Sequence, residues 1–283
     1  MTPSYSSVFA AAALFATSVC LPLRAASEAE AAAGRELVKR YADAIVGVEL
    51  VVTIKLKVGG NERPPQEQRI EVNGTVISPS GLTVTSLAEV DPQALFDAVR
   101  SGGGRGAELV GAEFKEVKLR LADGKEVPAR FVLKDADLDL AFMAPDVTAD
   151  ASKPDFPSYV KLDESAEGVL LGNYFFVARE RKVLQRVPII RASEVAGIVE
   201  KPRRFYLVTA QTLGTPVFDL KGKVLGISVN NFANGRPTGL VVLPAGDIAE
   251  IAKQAAAIQA QPKPVEVPRV EVPPIPSPLP ATP

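Results

Sequence analysis

Apolar and polar residues alternate with a period of two through the middle of the chain, which restricts this region to β-strands. Residues 117–131 alternate on both sides of Asp123-Gly124, and residues 224–243 alternate on both sides of Asn234-Gly235. Two alternating runs joined by Asp-Gly or Asn-Gly are typical of β-hairpins. The middle of the chain is therefore predicted to be built from antiparallel strands.

Helical spacing of apolar residues occurs only near the two ends of this region, around residues 35–44 and 245–258. The sequence thus predicts an all-β fold with a short N-terminal helix and a C-terminal helix. The polar stretch 91–113 includes three consecutive glycines and interrupts the strand pattern. It is predicted to be an inserted loop.

The composition sets limits on the class of protein and on its partners. Hydrophobic residues make up 47% of the chain, which is enough for a sizeable core. With 32 basic and 33 acidic residues the formal net charge is -1. No overall field attracts the chain to nucleic acid, so no nucleic-acid partner is predicted.

The first 27 residues resemble a secretory signal. A mostly apolar run, residues 8–23, precedes the small residues Ala25-Ala26-Ser27, where cleavage is expected. Cys20 lies inside the run behind the branched Val19, which argues against lipid attachment and favours a cysteine that is removed with the signal. The mature protein is expected to be exported to the periplasm or secreted, with no membrane insertion after cleavage.

The other end is rich in proline. Nine of the 22 residues in 262–283 are proline, a composition that favours extended polyproline II and not a packed core. The segment is predicted to be a disordered tail that serves either as a stiff tether or as a docking strip for a partner. Residues 28–261 remain as one body of two packed halves.

Histidine is absent from the whole chain, and cysteine would be absent from the mature part. Thiolate and imidazole metal sites are then excluded, and any metal would have to be a hard ion on carboxylates. Nothing in the spacing of the acidic residues indicates such a site. No cofactor and no metal are predicted.

Three segments together resemble trypsin-like serine proteases of the HtrA/Deg type. The first, 73–85, resembles a glycine-rich strand, a Ser-Pro-x-Gly turn and a second strand. The second, 123–141, resembles a strand pair leading to Asp-Leu-Ala, and the third, 211–227, resembles the nucleophile loop and its following hairpin. The resemblance implies a double β-barrel over residues 28–261. No segment resembling a PDZ domain follows the C-terminal helix.

The same resemblance places the family's catalytic positions on residues that cannot perform the chemistry. Ala88 takes the position of the histidine base, and its methyl group carries no titratable proton. Leu213 takes the position of the serine nucleophile, and Gln211 replaces the glycine that opens the oxyanion turn. Asp139 matches the triad aspartate but has no histidine to orient, so a structural role is predicted for it.

The sequence therefore predicts an exported, non-catalytic trypsin-like domain, a pseudoprotease that binds a peptide or protein partner. One alternative is an endopeptidase that uses Thr212 or Thr215 as nucleophile and Lys221 or Lys223 as base. Another is a purely structural envelope scaffold. A free strand edge beside an open cleft would favour peptide binding over the scaffold.

Overall fold

The computed structural model describes residues 27–94, 96, 107–146, 154–233 and 236–260. These ranges leave out almost all of the predicted signal segment, 1–27. They also leave out the whole of the predicted proline-rich tail, 262–283. Their boundaries stay predictions. Within the described ranges, no helix is both long enough and apolar enough to cross a membrane.

The first half of the chain forms a closed antiparallel barrel of six strands. The ring runs β1-β3-β4-β7-β6-β5 and closes through pairing of β5 with β1, while the short β2 pairs with the outer end of β1. The strands are β1 (Ile45–Val58), β2 (Asn61–Glu62), β3 (Gln66–Val76), β4 (Thr83–Ser86), β5 (Ala107–Arg120), β6 (Glu126–Asp135) and β7 (Leu140–Pro145).

The second half forms another closed six-stranded barrel. Its order is β10-β13-β12-β11-β8-β9, closed by the pairing of β9 with β10. Both predicted hairpins are confirmed, as β5–β6 in the first barrel and β12–β13 in the second. The strands are β8 (Asn173–Arg179), β9 (Pro188–Val199), β10 (Phe205–Val208), β11 (Pro216–Asp219), β12 (Val224–Ala233) and β13 (Arg236–Pro244).

The two helices lie at the predicted ends, as α1 (Glu28–Tyr41) and α2 (Ala245–Gln259). α1 begins seven residues before the periodic pattern because Ser27 and Glu30 form a capping box. Tyr41, at its end, stacks on Phe218 with 4.3 Å between ring centroids. The helix that precedes the first barrel therefore packs on the second.

Each barrel has its own apolar interior, and a larger cluster joins the two. Val48, Leu50 and Met143 lie inside the first barrel, and Phe176 and Leu225 lie inside the second. The joining cluster contains residues from both barrels and both helices, among them Tyr41, Ile45, Phe142, Phe218 and Ile248. Because burying one such side chain contributes about 1.5–3 kcal/mol, this shared core makes the barrels one packed unit.

The prediction of an inserted loop over 91–113 is wrong at its C-terminal end. β5 begins at Ala107 and pairs with β1 along its whole length. Two register shifts interrupt the pairing, between Val51 and Val52 and between Lys55 and Leu56. Such bulges break the period of two, which is why the polar sequence did not indicate a strand.

An arginine clamp also joins the barrels. Arg186, between β8 and β9, forms ion pairs with Glu49 on β1 and, at 2.8 Å, with Glu71 on β3. Gly47 leaves the space for it, because a Cβ at that position would lie 2.0 Å from the Arg186 Nη1. Arg120 binds Glu49 from the other side, and this hydrogen bond holds the pKa of Glu49 below its ordinary value.

Replacing Arg186 by methionine should lower the free energy of unfolding by about 1–3 kcal/mol, because two partly buried carboxylates lose a charged donor. Urea unfolding monitored by circular dichroism measures this loss. Arg181→Met is the matched control on the same loop, since no ion pair is found for Arg181 within the described residues. Equal midpoints for the two variants would contradict the clamp.

Candidate functional site

Asp139 lies at the junction of the barrels, on the turn between β6 and β7, and is 1% exposed. From the first barrel it accepts hydrogen bonds from the Ser86 hydroxyl (2.5 Å) and the Ala88 N–H (2.7 Å). From β12 of the second barrel it accepts the backbone N–H of Asn230 (2.7 Å) and its side-chain amide (3.2 Å). The carboxylate thus links the two barrels through four donors.

These bonds hold Asp139 in an unusual backbone conformation. Its φ is 56°, in the left-handed region, which costs a non-glycine residue about 1–2 kcal/mol. Burial raises the pKa of its carboxyl group, and the hydrogen bonds from Ser86, Asn230 and Ala88 oppose that shift. The carboxylate accepts two backbone hydrogen bonds, one from each barrel, and the structural role predicted for Asp139 stays a prediction.

Ala88 and Glu89 lie beside this carboxylate in a short 3-10 helix, Leu87–Glu89. Ala88 binds Asp139 through its backbone N–H. The Glu89 carboxyl is largely buried, and its Oε2 has no hydrogen-bond partner among the described residues. Burial, followed by the charge of Asp139, raises the pKa of Glu89 to about 7. Sequence reasoning missed Glu89, because an isolated glutamate usually indicates a solvated surface.

The loop that carries Leu213 is fastened to both barrels just before β11. The N–H of Gly214 donates to the Ser228 carbonyl on β12 (2.9 Å), and the N–H of Ser228 donates to the Thr215 carbonyl (3.0 Å). The hydroxyl of Thr75 on β3 donates to the Gly214 carbonyl at 2.8 Å. Leu213 itself is half-buried.

Gly214 lies close against the first barrel. Its φ is 70°, and a Cβ there would lie 2.4 Å from the Asn73 carbonyl oxygen and 2.5 Å from the Thr85 Oγ1. A backbone atom cannot move away from such a contact cheaply, and a left-handed φ adds strain. Only glycine fits this position.

Gln211 also faces β12. Its side-chain oxygen accepts the hydroxyl of Ser228 at 2.7 Å. Ser228 and Asn230 are two residues apart on β12, so the strand connects Gln211 and the Leu213 loop to the Asp139 carboxylate. The four sequence-predicted residues therefore lie around one junction. Among them only Asp139 carries a titratable side chain.

The hydroxyls and lysines of the alternative enzyme are not brought together. The Thr215 hydroxyl is buried and donates to the Thr212 carbonyl at 2.6 Å. Lys221 and Lys223 are exposed in the turn between β11 and β12, at the far end of β11 from Thr215. Across the described ranges, no group of three or more histidine, cysteine, aspartate or glutamate residues could hold a metal ion.

The sequence matches a family model described as a trypsin-like peptidase domain, over residues 72–227. The chain belongs to this family. The match starts in β3 of the first barrel and ends in β12 of the second, so it includes Ala88, Asp139 and the Leu213 loop. No curated protein gives a significant match to this trypsin-like domain.

Three solved structures are similar to this chain. The HtrA-type protease AlgW, solved with a decapeptide, is 16% identical, with a TM-score of 0.51 over 79% of this chain and 67% of that one. A substituted form of AlgW, also with decapeptide, is 15% identical, with a TM-score of 0.52 over 79% and 66% of the two chains. The apo MamO protease domain from Magnetospirillum magneticum is 17% identical, with a TM-score of 0.46 over 75% and 97%.

The family match and the AlgW fold confirm the predicted trypsin-like double barrel with its N-terminal and C-terminal helices. At 15–16% identity the likeness to AlgW extends to the fold alone. What this trypsin-like domain does must then be argued from its own residues.

Proposed function

We propose that this chain is a non-catalytic trypsin-like domain that binds an extended peptide, or a segment of a partner protein, along the edge of β12. The observation that carries the proposal is the environment of Asp139. Four donors occupy its carboxylate, and the residue in the position of the base contributes a backbone N–H in place of an imidazole. The carboxylate then serves as a link between barrels and has no proton relay to support.

The size of the catalytic loss supports a binding role. Removing a whole serine-protease triad costs on the order of a millionfold in turnover, and what survives comes from the oxyanion hole and substrate binding. Here Leu213 replaces the nucleophile and Gln211 replaces the glycine of the oxyanion turn. A chain with both changes is expected to hydrolyse peptides at a rate close to that of the uncatalysed reaction in water.

β12 offers an edge to which a peptide could add. Ser228 directs its N–H and C=O away from β13 toward the Leu213 loop, and main-chain groups alternate along an antiparallel strand. Asn230 lies two residues further along and would direct its groups the same way, but its N–H is taken by Asp139. β11 pairs with β12 only from Val224 to Ile227, so among the described strands residues 228–233 of β12 pair on the β13 side alone. An edge without a strand on one side suits strand addition.

AlgW, which shares this fold, was solved with a decapeptide. That observation belongs to AlgW and adds only that a protein containing this fold has been solved with a peptide. For this chain the free edge of β12 favours peptide binding over the scaffold alternative. The scaffold would need no such edge.

The absence of catalysis is tested by labelling with a fluorophosphonate, which reacts only with an activated hydroxyl. We expect no adduct on the natural chain by mass spectrometry. The matched variant restores the family residues through Ala88→His, Gln211→Gly, Leu213→Ser and Thr215→Gly, and should label at position 213. An adduct on the natural chain, at Thr212, Thr215 or a serine, would overturn the non-catalytic proposal.

Peptide binding is tested by selecting from a random decapeptide library on the immobilised full chain and measuring the selected peptide by fluorescence anisotropy. Phe232→Pro removes a main-chain N–H from this half of β12 and should weaken binding at least about 10-fold, the equivalent of 1.4 kcal/mol. Phe232→Ala keeps that N–H and controls for the lost ring. Failure to enrich any peptide would favour the scaffold, and equal binding by the two variants would place the peptide elsewhere.

A further inference from the structure

A groove of about 410 Å³ runs along one face of α2, away from the Asp139 junction. Its walls come from α2, from the turn after β3 and from the segment that connects the barrels. The lining is mainly apolar, with one aromatic ring, and includes Ile77, Leu82, Tyr159, Leu162, Ala252 and Ala256. Small alanine side chains on α2 leave this volume unfilled beside the Tyr159 ring.

The end of α2 is fastened at the mouth of this groove. Gln259, the last helical residue, donates through its side-chain amide to the Ser80 carbonyl at 3.1 Å, and its side-chain oxygen accepts the Ser80 hydroxyl at 3.2 Å. Ser78, two residues away, lines the groove. The chain therefore leaves the described region within one helical turn of Ala256, with the 23 residues from 261 to 283 still to follow.

We propose that the proline-rich segment 262–283 binds in this groove of its own domain. Aromatic and apolar grooves are the surfaces that bind proline-rich polyproline II segments, because such a segment is already extended and loses little entropy on docking. The first apolar residues after Pro264 are Val265 and Val267, followed by Pro268. These side chains match the apolar lining.

The length and direction of the chain permit this contact. Ala249 and Ala256, both in the groove, are seven residues apart, or about 10 Å along a helix, which three or four polyproline II residues span. Gln261 precedes Pro262, and a residue before proline disfavours helical geometry, so we expect the chain to leave the α2 axis at this point. The few residues that follow are enough to return along α2.

The charges indicate a mainly apolar contact with few charges at the rim. The two lysines at the groove, Lys161 and Lys253, already pair with Glu164 at 3.0 Å and with Glu250 at 2.7 Å, and Asp163 adds one carboxylate to the lining. The segment 262–283 contains two basic and two acidic residues, so it has no net charge to steer it. Docking should accordingly depend little on salt, in contrast to an ion-pair surface.

Thiol accessibility tests the contact in the full chain. In a Cys20→Ser background, Ala252→Cys places a thiol in the groove, and its rate of modification by a soluble disulfide reagent is measured. We expect this rate to be at least about fivefold lower in the full chain than in a chain ending at Ala260. A fivefold decrease corresponds to a groove that the tail occupies in about 80% of the molecules. Gln254→Cys, on the same helix but outside the groove, should react equally in both.

Three further measurements extend the test, and the last of them does not use the engineered thiol. A peptide of residues 261–283 added to the truncated chain should restore the protection. Substituting Pro264, Val265, Val267 and Pro268 by serine in the full chain should remove it without touching the folded body. Hydrogen exchange along α2 of the unsubstituted chain, with and without residues 261–283, should show the same difference.

Equal modification of Ala252→Cys in the full and truncated chains, together with equal hydrogen exchange, would overturn the proposal. Protection that disappears on dilution would also overturn it, because the occupant would then be the tail of a second copy. The test does not involve Phe232 or a peptide on β12, so its failure and that of the proposed function are distinguishable.

Discussion

Replacing Asp139 by alanine should lower the free energy of unfolding by about 3–5 kcal/mol, the largest effect expected of any single substitution in this domain. The change leaves four donors without an acceptor in a buried place, the Ser86 hydroxyl, the Ala88 N–H and both N–H groups of Asn230. It also leaves alanine in a left-handed conformation, which it tolerates poorly. Urea unfolding followed by circular dichroism measures the loss.

Asp139→Asn is the matched control for this experiment. Asparagine keeps one acceptor oxygen and tolerates a left-handed φ, so it should cost about half as much as alanine. Asp139→Gly relieves the backbone strain but lacks the acceptor, as alanine does. Its loss of unfolding free energy should therefore be close to that of Asp139→Ala. If alanine costs less than about 1 kcal/mol, the carboxylate does not hold the barrels together.

The second large effect concerns pH and Glu89. Its pKa is raised from 4.5 to about 7 in the folded protein, so the folded state binds the proton more tightly than the unfolded state. The stability that this carboxyl contributes is complete below about pH 4.5 and is lost as the pH rises through about 7. A shift of this size corresponds to about 3 kcal/mol between those limits.

Glu89→Gln should remove this part of the pH dependence, because a neutral amide has no proton to lose. We expect the natural chain and the variant to have similar stability near pH 5, and the variant to be more stable by about 2–3 kcal/mol at pH 8.5. Unfolding midpoints in urea at several pH values measure the difference. Glu36→Gln, which changes an exposed residue on α1, is the control. If the stability of Glu89→Gln changes with pH in parallel with that of the natural chain, the prediction is contradicted.

The fold was largely predictable because its signals are local. The sequences Asp123-Gly124 and Asn234-Gly235 each lie between alternating runs, and the strands on either side of each form a hairpin pair in one of the two barrels. The start of β5 was not predictable, because two bulges shift its alternation and its exposed face is charged. The early start of α1 depended on a cap that apolar spacing does not register.

The candidate site was predictable only in part. The resemblance to trypsin-like proteases located Ala88 and Asp139, which the fold brings to 2.7 Å of each other. It did not indicate Asn230, which is 91 residues from Asp139, because a donor that arrives from the second barrel leaves no pattern near the residue it binds. Glu89 was missed for the same reason, since its burial depends on the packing around it and not on its neighbours in sequence.

Gly214 shows that a glycine in this loop can be required by the packing of the two barrels alone. The space for a side chain at this position is closed by the Asn73 carbonyl and the Thr85 hydroxyl of the opposite barrel. The requirement for glycine is therefore architectural, and it holds whether the residue before it is a serine or Leu213. A glycine at this position of the loop indicates how closely the two barrels approach each other. An enzyme and a binding protein built on this fold would both need it.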